Sequence, residues 1–242
     1  MFIVLIMTAA LVTSSEAAEI KVAVPMSIRD AFNELSNTYH RKTAGGRIIP
    51  YFSTLQSLAL MLESGASVDL LISDHRGWID YLNSRKILEE LFTTSFTSNT
   101  LVLVAKPDKR ANGIKELLNL KKIAVSDPAT QSCGQYTMEA FKNAGIEKQI
   151  HDKLVLFKTN HDALMAAERG EVDGAIIYRT DAVHAKTCRL LFSVLPTLYS
   201  PVTYQLSLTK TGMKNREAVN FHKFLMGEES KTVLEKYGFI TK

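Results

Sequence analysis

Four loops in this sequence place Ser, Thr and Asn residues where they could bind a small anion. Each loop joins a strand-like segment to a helix-like segment, and the four cover residues 24–28, 52–57, 126–136 and 158–161. Free backbone N–H groups at a helix N-terminus and the helix dipole attract negative charge without any charged side chain. One Ser or Thr before a helix is usually only a cap, as we predict for Ser27. Four such loops together predict an anion site.

The segments that position these loops alternate between strand and helix. Apolar strand patterns cover residues 20–24, 47–52, 68–73, 99–106, 122–125, 154–157, 173–178 and 202–208. Helical patterns cover residues 31–39, 55–63, 77–83, 136–144, 162–169 and 214–237, the last with a break near Gly227. This alternation predicts an α/β fold, in which ligands bind beyond the carboxyl ends of parallel strands.

The strand–helix pattern restarts at about residue 99 and closes at about residue 203. We therefore predict a first lobe of residues 19–98 plus 204–242 and a second lobe of residues 99–203. Strands near residues 100–105 and 202–207 would make the two crossings. Two lobes joined in this way form a cleft that can close on a ligand by hinging.

The first residues have a different character from the rest of the chain. An apolar run from Met1 to Thr13 is followed by small residues up to Ala18. The run is shorter than the roughly 20 residues of a membrane-spanning helix and predicts a signal peptide over residues 1–18. No Lys or Arg precedes it, so a buried N-terminal strand is the alternative.

Composition argues against several other functions. The 242 residues include 29 Lys and Arg and 25 Asp and Glu, which gives a net charge of +4. This small excess has no basic stripe with interleaved aromatic residues, so we expect no nucleic-acid partner. The six His are scattered without the spacing of metal ligands, and no Cys-x-x-Cys occurs. We therefore expect no cofactor and no metal-ligating side chains.

The sequence carries no arrangement that predicts catalysis. Asp69 and Asp74 could serve as paired carboxylates, but they stand at opposite ends of one predicted strand. No Gly-x-Ser-x-Gly turn supports a nucleophilic serine. We therefore predict that the protein is not an enzyme.

The two cysteines leave one question open. Cys133 lies in the third of the four loops, and Cys188 follows a helix that we predict directly after Tyr178. An exported protein could join them in a disulfide. Their positions in the sequence do not decide whether they meet.

Several segments resemble the periplasmic molybdate-binding proteins, in order along the chain. Residues 22–32 are similar to the strand–turn–Ser–helix opening of that family, and residues 62–74 to its Glu-x-Gly-Ala-x-Ala-Asp-Leu-Phe-Ile-Ser segment. Further similar segments are residues 99–105, 127–128, 134–136, 174–182 and 236–239. The resemblance implies a type-II periplasmic-binding-protein fold, with two βα lobes and parallel-dominated mixed sheets.

The same resemblance implies a function. It implies a periplasmic protein that binds molybdate or tungstate and delivers it to the membrane permease of an ABC transporter. We expect a monomer, because this function needs free hinge motion. It also implies ligand positions in both lobes. The hydroxyls of Ser27 and Tyr178 would contact the oxyanion, and Cys133 and Asn160 would donate backbone N–H groups.

The second loop departs from the family pattern. Leu55 stands where the resemblance implies a ligand serine, so only its backbone N–H can donate. Thr54 or Ser53 could replace the missing hydroxyl if the loop shifts. A lost hydrogen bond to a charged group costs about 1.5–3 kcal/mol. Another oxyanion, a small organic acid or a phosphonate is therefore the alternative ligand.

A second alternative belongs to a different class of protein. The same fold serves as the effector domain of transcription regulators and in some transferases, because fold does not determine function. A regulator would need a DNA-binding helix-turn-helix. The apolar leader in front of the first strand argues against it.

Overall fold

The computed structural model describes residues 18–43 and 45–241. Apart from Ala18, the predicted signal peptide lies outside the described residues. Within these ranges, strands and helices alternate along the chain as the sequence predicts. No helix in this part of the chain is long and apolar enough to cross a membrane.

Most elements have bounds close to the predicted ones. The strands are β1 (Glu19–Pro25), β2 (Arg47–Ser53), β3 (Leu70–Ser73), β4 (Leu88–Asn99), β5 (Leu101–Ala105), β6 (Ile123–Ser126), β7 (Leu154–Phe157), β8 (Gly174–Tyr178), β9 (Arg189–Ser193) and β10 (Val202–Thr209). The α-helices are α1 (Arg29–Lys42), α2 (Leu55–Glu63), α3 (Arg76–Ser84), α4 (Ser132–Asn143), α5 (Glu147–Ile150), α6 (Asn160–Arg169), α7 (Arg179–Ala182), α8 (Arg216–Leu225) and α9 (Glu228–Lys236). The sequence patterns missed β4, β9 and the one-turn helix α5. The helix expected after Tyr178 is the one-turn α7.

The strands form two five-stranded mixed sheets. The order in the first sheet is β2-β1-β3-β10-β4, and the order in the second is β7-β6-β8-β5-β9. In the first sheet β1 pairs parallel with β2 and β3, while β10 runs antiparallel to β3 and β4. In the second sheet β6 pairs parallel with β7 and β8, while β5 runs antiparallel to β8 and β9. In each sheet, therefore, one strand runs in the opposite direction to the other four. This arrangement confirms the predicted fold class.

The chain passes between the sheets in two places. The first passage lies between Asn99, the last residue of β4, and Leu101, the first of β5. The second lies between β9 and β10. Tyr199 in this second connection accepts a hydrogen bond through its hydroxyl from the N–H of Leu101 at 3.1 Å, so the two passages touch. The predicted lobe boundaries stay a prediction. The chain passes from one sheet to the other within a few residues of them.

Strands β3, β5, β6 and β8 are buried on both faces, which explains their nearly continuous apolar sequences. Alternate side chains of β1 point to opposite faces of the first sheet. Val22 and Val24 pack in a cluster that includes residues of α1, α8 and α9, whereas Ala23 packs with α2 and α3. The first of these clusters continues through the second sheet to α4. One core therefore connects the two sheets behind the loops.

The structure answers the open question about the cysteines. Cys133 and Cys188 are both buried and unpaired. Cys133 belongs to the core cluster around α4, whereas Cys188 belongs to a separate cluster that includes α6. The disulfide that the sequence left open is absent because the two thiols pack on different faces of the second sheet.

Candidate anion-binding site

Loops from both sheets meet at one small cavity. It is lined by all six residues predicted to bind the ligand, which are Ser27, Thr54, Leu55, Cys133, Asn160 and Tyr178. Its other lining residues are Pro25, Met26, Ser53, Asp74, Thr130, Gln131 and Ser132. The cavity measures about 10 Å³, which is close to the minimum for one water molecule. The structure thus brings the predicted residues together, and their role in binding stays a prediction.

Ser27 faces the site instead of capping a helix. A short 3-10 helix spans Met26–Ile28, and α1 begins at Arg29 without a side-chain cap. The predicted cap is therefore wrong, because the 3-10 turn places Ser27 ahead of the first α-helical turn. Its hydroxyl instead donates to Oδ2 of Asp74 at 3.1 Å.

The second loop uses its polar and apolar side chains for local structure. Thr54 caps α2, since its hydroxyl accepts from the N–H of Ser57 at 3.3 Å and donates to the Ser57 hydroxyl at 3.0 Å. Leu55 is the first residue of α2, and its side chain is buried in the cluster of α2 and α3. Both residues border the cavity, but Thr54 would have to leave its cap to donate to an anion.

The start of α4 supplies a donor that the sequence patterns missed. The predicted helix began at Tyr136, whereas α4 begins at Ser132 and has no side-chain cap. The hydroxyl of Ser132 donates to Oδ1 of Asp74 at 2.8 Å. A Cβ atom at Gly134 would lie 2.2 Å from the carbonyl oxygen of Ser126, so glycine permits α4 to approach β6 this closely. Ser132 and Gly134, which precede the predicted helix start, were the residues in the sequence that could have indicated this earlier start.

The side chain of Cys133 is a packing group. It is buried in the core cluster. Burial raises the pKa of its thiol well above the usual value. The thiol is therefore neutral, and only the backbone N–H of Cys133 at the start of α4 remains suited to an anion.

Asn160 begins α6 and is bound to a buried carboxyl. Thr159 caps this helix by accepting from the N–H of Asp162 at 3.1 Å. The Asn160 side-chain amide donates to Oδ2 of Asp181 at 2.9 Å, while its Oδ1 atom is buried without a hydrogen-bond partner. The side-chain N–H group is therefore committed to Asp181, which leaves the backbone N–H role predicted for Asn160.

Tyr178 stands at the carboxyl end of β8 and is 1% exposed. Burial raises the pKa of its phenol well above the usual value. The phenol is neutral and can donate, and it lies 3.5 Å from Oδ2 of Asp74. This long contact places the hydroxyl on the same carboxylate that Ser27 and Ser132 contact.

Asp74 is therefore the centre of the site, although the sequence indicates only that it stands with Asp69 at the two ends of a predicted strand. Its side chain is 4% exposed, and its backbone carbonyl accepts from the hydroxyl of Tyr136 at 3.1 Å. Burial raises the pKa of the carboxyl, opposed by the hydrogen bonds from Ser132 and Ser27. Its position at the carboxyl end of a buried strand was the signal that could have identified it.

A larger cavity of about 430 Å³ lies beside the small one, between the start of α1 and helices α6 and α7. Its charged and titratable lining residues are Arg29, Asp30, His161, Asp181, His184, Lys186 and Tyr237. Burial raises the pKa of Asp181 to about 7. Among residues 18–43 and 45–241, no group of three or more His, Cys, Asp or Glu side chains could hold a metal ion.

The sequence profile of the bacterial extracellular solute-binding proteins matches residues 20–240. The chain belongs to this family. The match covers both sheets and all the loops that line the small cavity. The candidate site of this solute-binding protein lies where loops from its two sheets meet.

Individual relatives agree with the family assignment. The solute-binding protein is 29% identical to the molybdate-binding protein ModA of Haemophilus influenzae, over 93% of this chain and 91% of the relative. It is 25% identical to the solved substrate-binding domain of a putative molybdenum ABC transporter from Clostridium difficile, with a TM-score of 0.79 and coverage of 93% and 99%. The periplasmic molybdate-binding protein of Azotobacter vinelandii shares the fold at 15% identity, with a TM-score of 0.81 and coverage of 92% and 99%.

Proposed function

We propose that this solute-binding protein captures molybdate, or the closely similar tungstate, between its two sheets and delivers it to the membrane permease of an ABC transporter. The observation that carries the proposal is the convergence of hydroxyl donors from both sheets, namely Ser27, Ser132 and Tyr178, on one point. Neutral donors of this kind replace the water shell of an anion. The relatives named for molybdate binding and molybdenum transport support the same ligand.

The proposed cycle needs the two lobes to move. Residues 19–98 with 204–242 would form one lobe and residues 99–203 the other, and the connections between the sheets would act as the hinge. We propose a monomer, because free closure of the lobes is what presents the ligand to a permease. No catalytic step and no cofactor take part in this cycle.

The first residues of the chain bear on where in the cell the protein works. We propose that residues 1–18 direct export and that the mature protein works in the periplasm. The apolar run followed by small residues supports this location, as does membership of a family of extracellular solute-binding proteins. Cell fractionation tests it, and recovery of the protein with the cytoplasm would reopen the regulator alternative.

Titration calorimetry with molybdate, tungstate, sulfate and phosphate tests the ligand. We expect saturable binding of molybdate and tungstate and weaker binding of the smaller sulfate. Tyr178→Phe removes one donor and should weaken molybdate binding about 10–100-fold. Tyr51→Phe, on the exposed side of β2, is the matched control. No heat and no thermal shift with molybdate would contradict the proposal.

One observation favours a second ligand class. Leu55 offers no hydroxyl to a tetrahedral dianion, and its side chain is committed to the core. An organic acid or phosphonate has fewer charged oxygen atoms to satisfy and needs fewer donors. Binding of such a compound, with no response to molybdate in the same titrations, would select this alternative.

A further inference from the structure

The carboxylate of Asp74 lies at the point where donors from the two sheets converge. From the first sheet, the Ser27 hydroxyl donates to Oδ2 at 3.1 Å. From the second sheet, the Ser132 hydroxyl donates to Oδ1 at 2.8 Å, and the Tyr178 hydroxyl lies 3.5 Å from Oδ2. These partners are neutral hydroxyl groups rather than Lys or Arg. The carboxylate is therefore bound in the way that an oxyanion would be.

Asp74 also fills the space at this point. Its side chain is 4% exposed, and the cavity beside it measures about 10 Å³. A four-oxygen anion needs more room than one water, so it cannot enter while the carboxylate keeps this position. A fully deprotonated dianion also cannot donate a hydrogen bond to a carboxylate, which only accepts. The two negative groups therefore exclude each other from one set of donors.

We propose that the Asp74 carboxylate is an internal anion that occupies the oxyanion site, competes with the ligand and thereby sets which anions the protein accepts. This inference rests on the proposed function, because it assigns a competitor to that same site. Binding of molybdate requires the carboxylate to leave the hydroxyls of Ser27 and Ser132. Each ligand is therefore selected by the difference between its own hydrogen bonds and those of Asp74.

The same contacts have a consequence when no ligand is added. Ser27 lies in the half built on the first sheet, and Ser132 lies in the half built on the second. The Asp74 carboxylate contacts both serines and therefore links the two halves across the cleft. A variant without the carboxylate loses this link. The two halves should then separate further in solution.

The test compares the wild type with Asp74→Ala and with Asp80→Ala, which removes an exposed carboxylate from α3. Titration calorimetry with sodium molybdate at pH 7 is expected to show at least about tenfold tighter binding to Asp74→Ala. Asp80→Ala should match the wild type. Equal or weaker binding by a folded Asp74→Ala would overturn the inference. If this variant does not fold, Asp74→Asn replaces it, because the amide keeps the shape and removes the charge.

Small-angle X-ray scattering without molybdate separates this inference from the proposed function. The radius of gyration should increase in Asp74→Ala and stay unchanged in Asp80→Ala. If neither the wild type nor Asp74→Ala binds molybdate, the proposed ligand is wrong, and the scattering result alone decides the role of Asp74. An unchanged radius of gyration in that case would overturn it.

Discussion

The two halves of the site use similar residue types for different purposes. In the half built on the first sheet, the Thr54 hydroxyl caps α2 and the Leu55 side chain packs in the core. Ser27 is the donor of this half, and its hydroxyl donates to the Asp74 carboxyl of the same half. In the half built on the second sheet, Ser132 and Tyr178 point their hydroxyls into the site. The second half therefore supplies two of the three hydroxyl donors, while the first half contains Asp74, the carboxylate that we propose competes with an anion.

Leu55→Ser gives the largest expected effect on stability, because it removes a buried apolar side chain from the first half. The Leu55 side chain is 4% exposed and packs with residues of α2 and α3. Truncation of a buried leucine costs about 2–5 kcal/mol. We expect the free energy of unfolding, measured with urea, to fall by this amount.

Leu60→Ser is the matched control for this substitution. Leu60 lies on the same helix but is 54% exposed, so its replacement should change the free energy of unfolding by less than about 0.5 kcal/mol. Equal losses for Leu55→Ser and Leu60→Ser would show that Leu55 does not serve the core. The difference drawn between the two halves would then be wrong at this residue.

Ser132→Ala and Thr54→Ala compare the donors of the two halves directly. With Asp74→Ala as the background, Ser132→Ala should weaken molybdate binding about 10–100-fold, since a donor to a charged group is lost. In the wild type the loss should be smaller, because Ser132 also donates to the competing carboxylate. Thr54→Ala should cost about 1 kcal/mol of stability through the lost helix cap and should weaken binding less than Ser132→Ala.

The molybdate affinities of the wild type, Ser132→Ala, Asp74→Ala and the double variant form a double-mutant cycle for Ser132 and Asp74. A non-zero interaction energy is expected, because one side chain donates to the other. Equal losses in both backgrounds would mean that the contact between Ser132 and Asp74 does not affect binding. A larger loss for Thr54→Ala than for Ser132→Ala would reverse the assignment of donors to the two halves.

The same contrast explains what the sequence could predict. Alternating strand and helix patterns predict both sheets, because buried parallel strands are almost continuously apolar. They miss β4, where Ser and Thr residues pair with β10 along the first sheet. All six predicted site residues border one cavity, since the carboxyl ends of strands determine where loops gather. The roles of Ser27, Ser132 and Asp74 depend on contacts between distant segments, and these follow no local pattern.

A pH-dependent effect is expected at the buried carboxyl of the second half, Asp181, whose pKa is raised by burial to about 7 from 3.8. Between these values the native state binds more protons than the unfolded state, so this group lowers stability as pH rises through that window. Asp181→Asn should remove this loss and can offer a donor to the buried Oδ1 of Asn160. Relative to the wild type, its free energy of unfolding should rise from pH 4 to pH 7.

Glu168 provides a control of opposite sign in the same half. Burial raises its pKa, but hydrogen bonds from the N–H groups of Cys188 and Thr187 outweigh burial and lower the pKa from 4.5 to about 2. Its contribution is therefore present above pH 4.5 and is lost as pH falls towards 2. Glu168→Gln should be less stable than the wild type at pH 7, with a difference that shrinks in acid. Urea unfolding of both variants from pH 3 to pH 8 checks the two slopes. If Asp181→Asn showed no pH-dependent gain, the Asp181 carboxyl would titrate at its ordinary pKa. The contrast drawn between Asp181 and Glu168 within the second half would then be wrong.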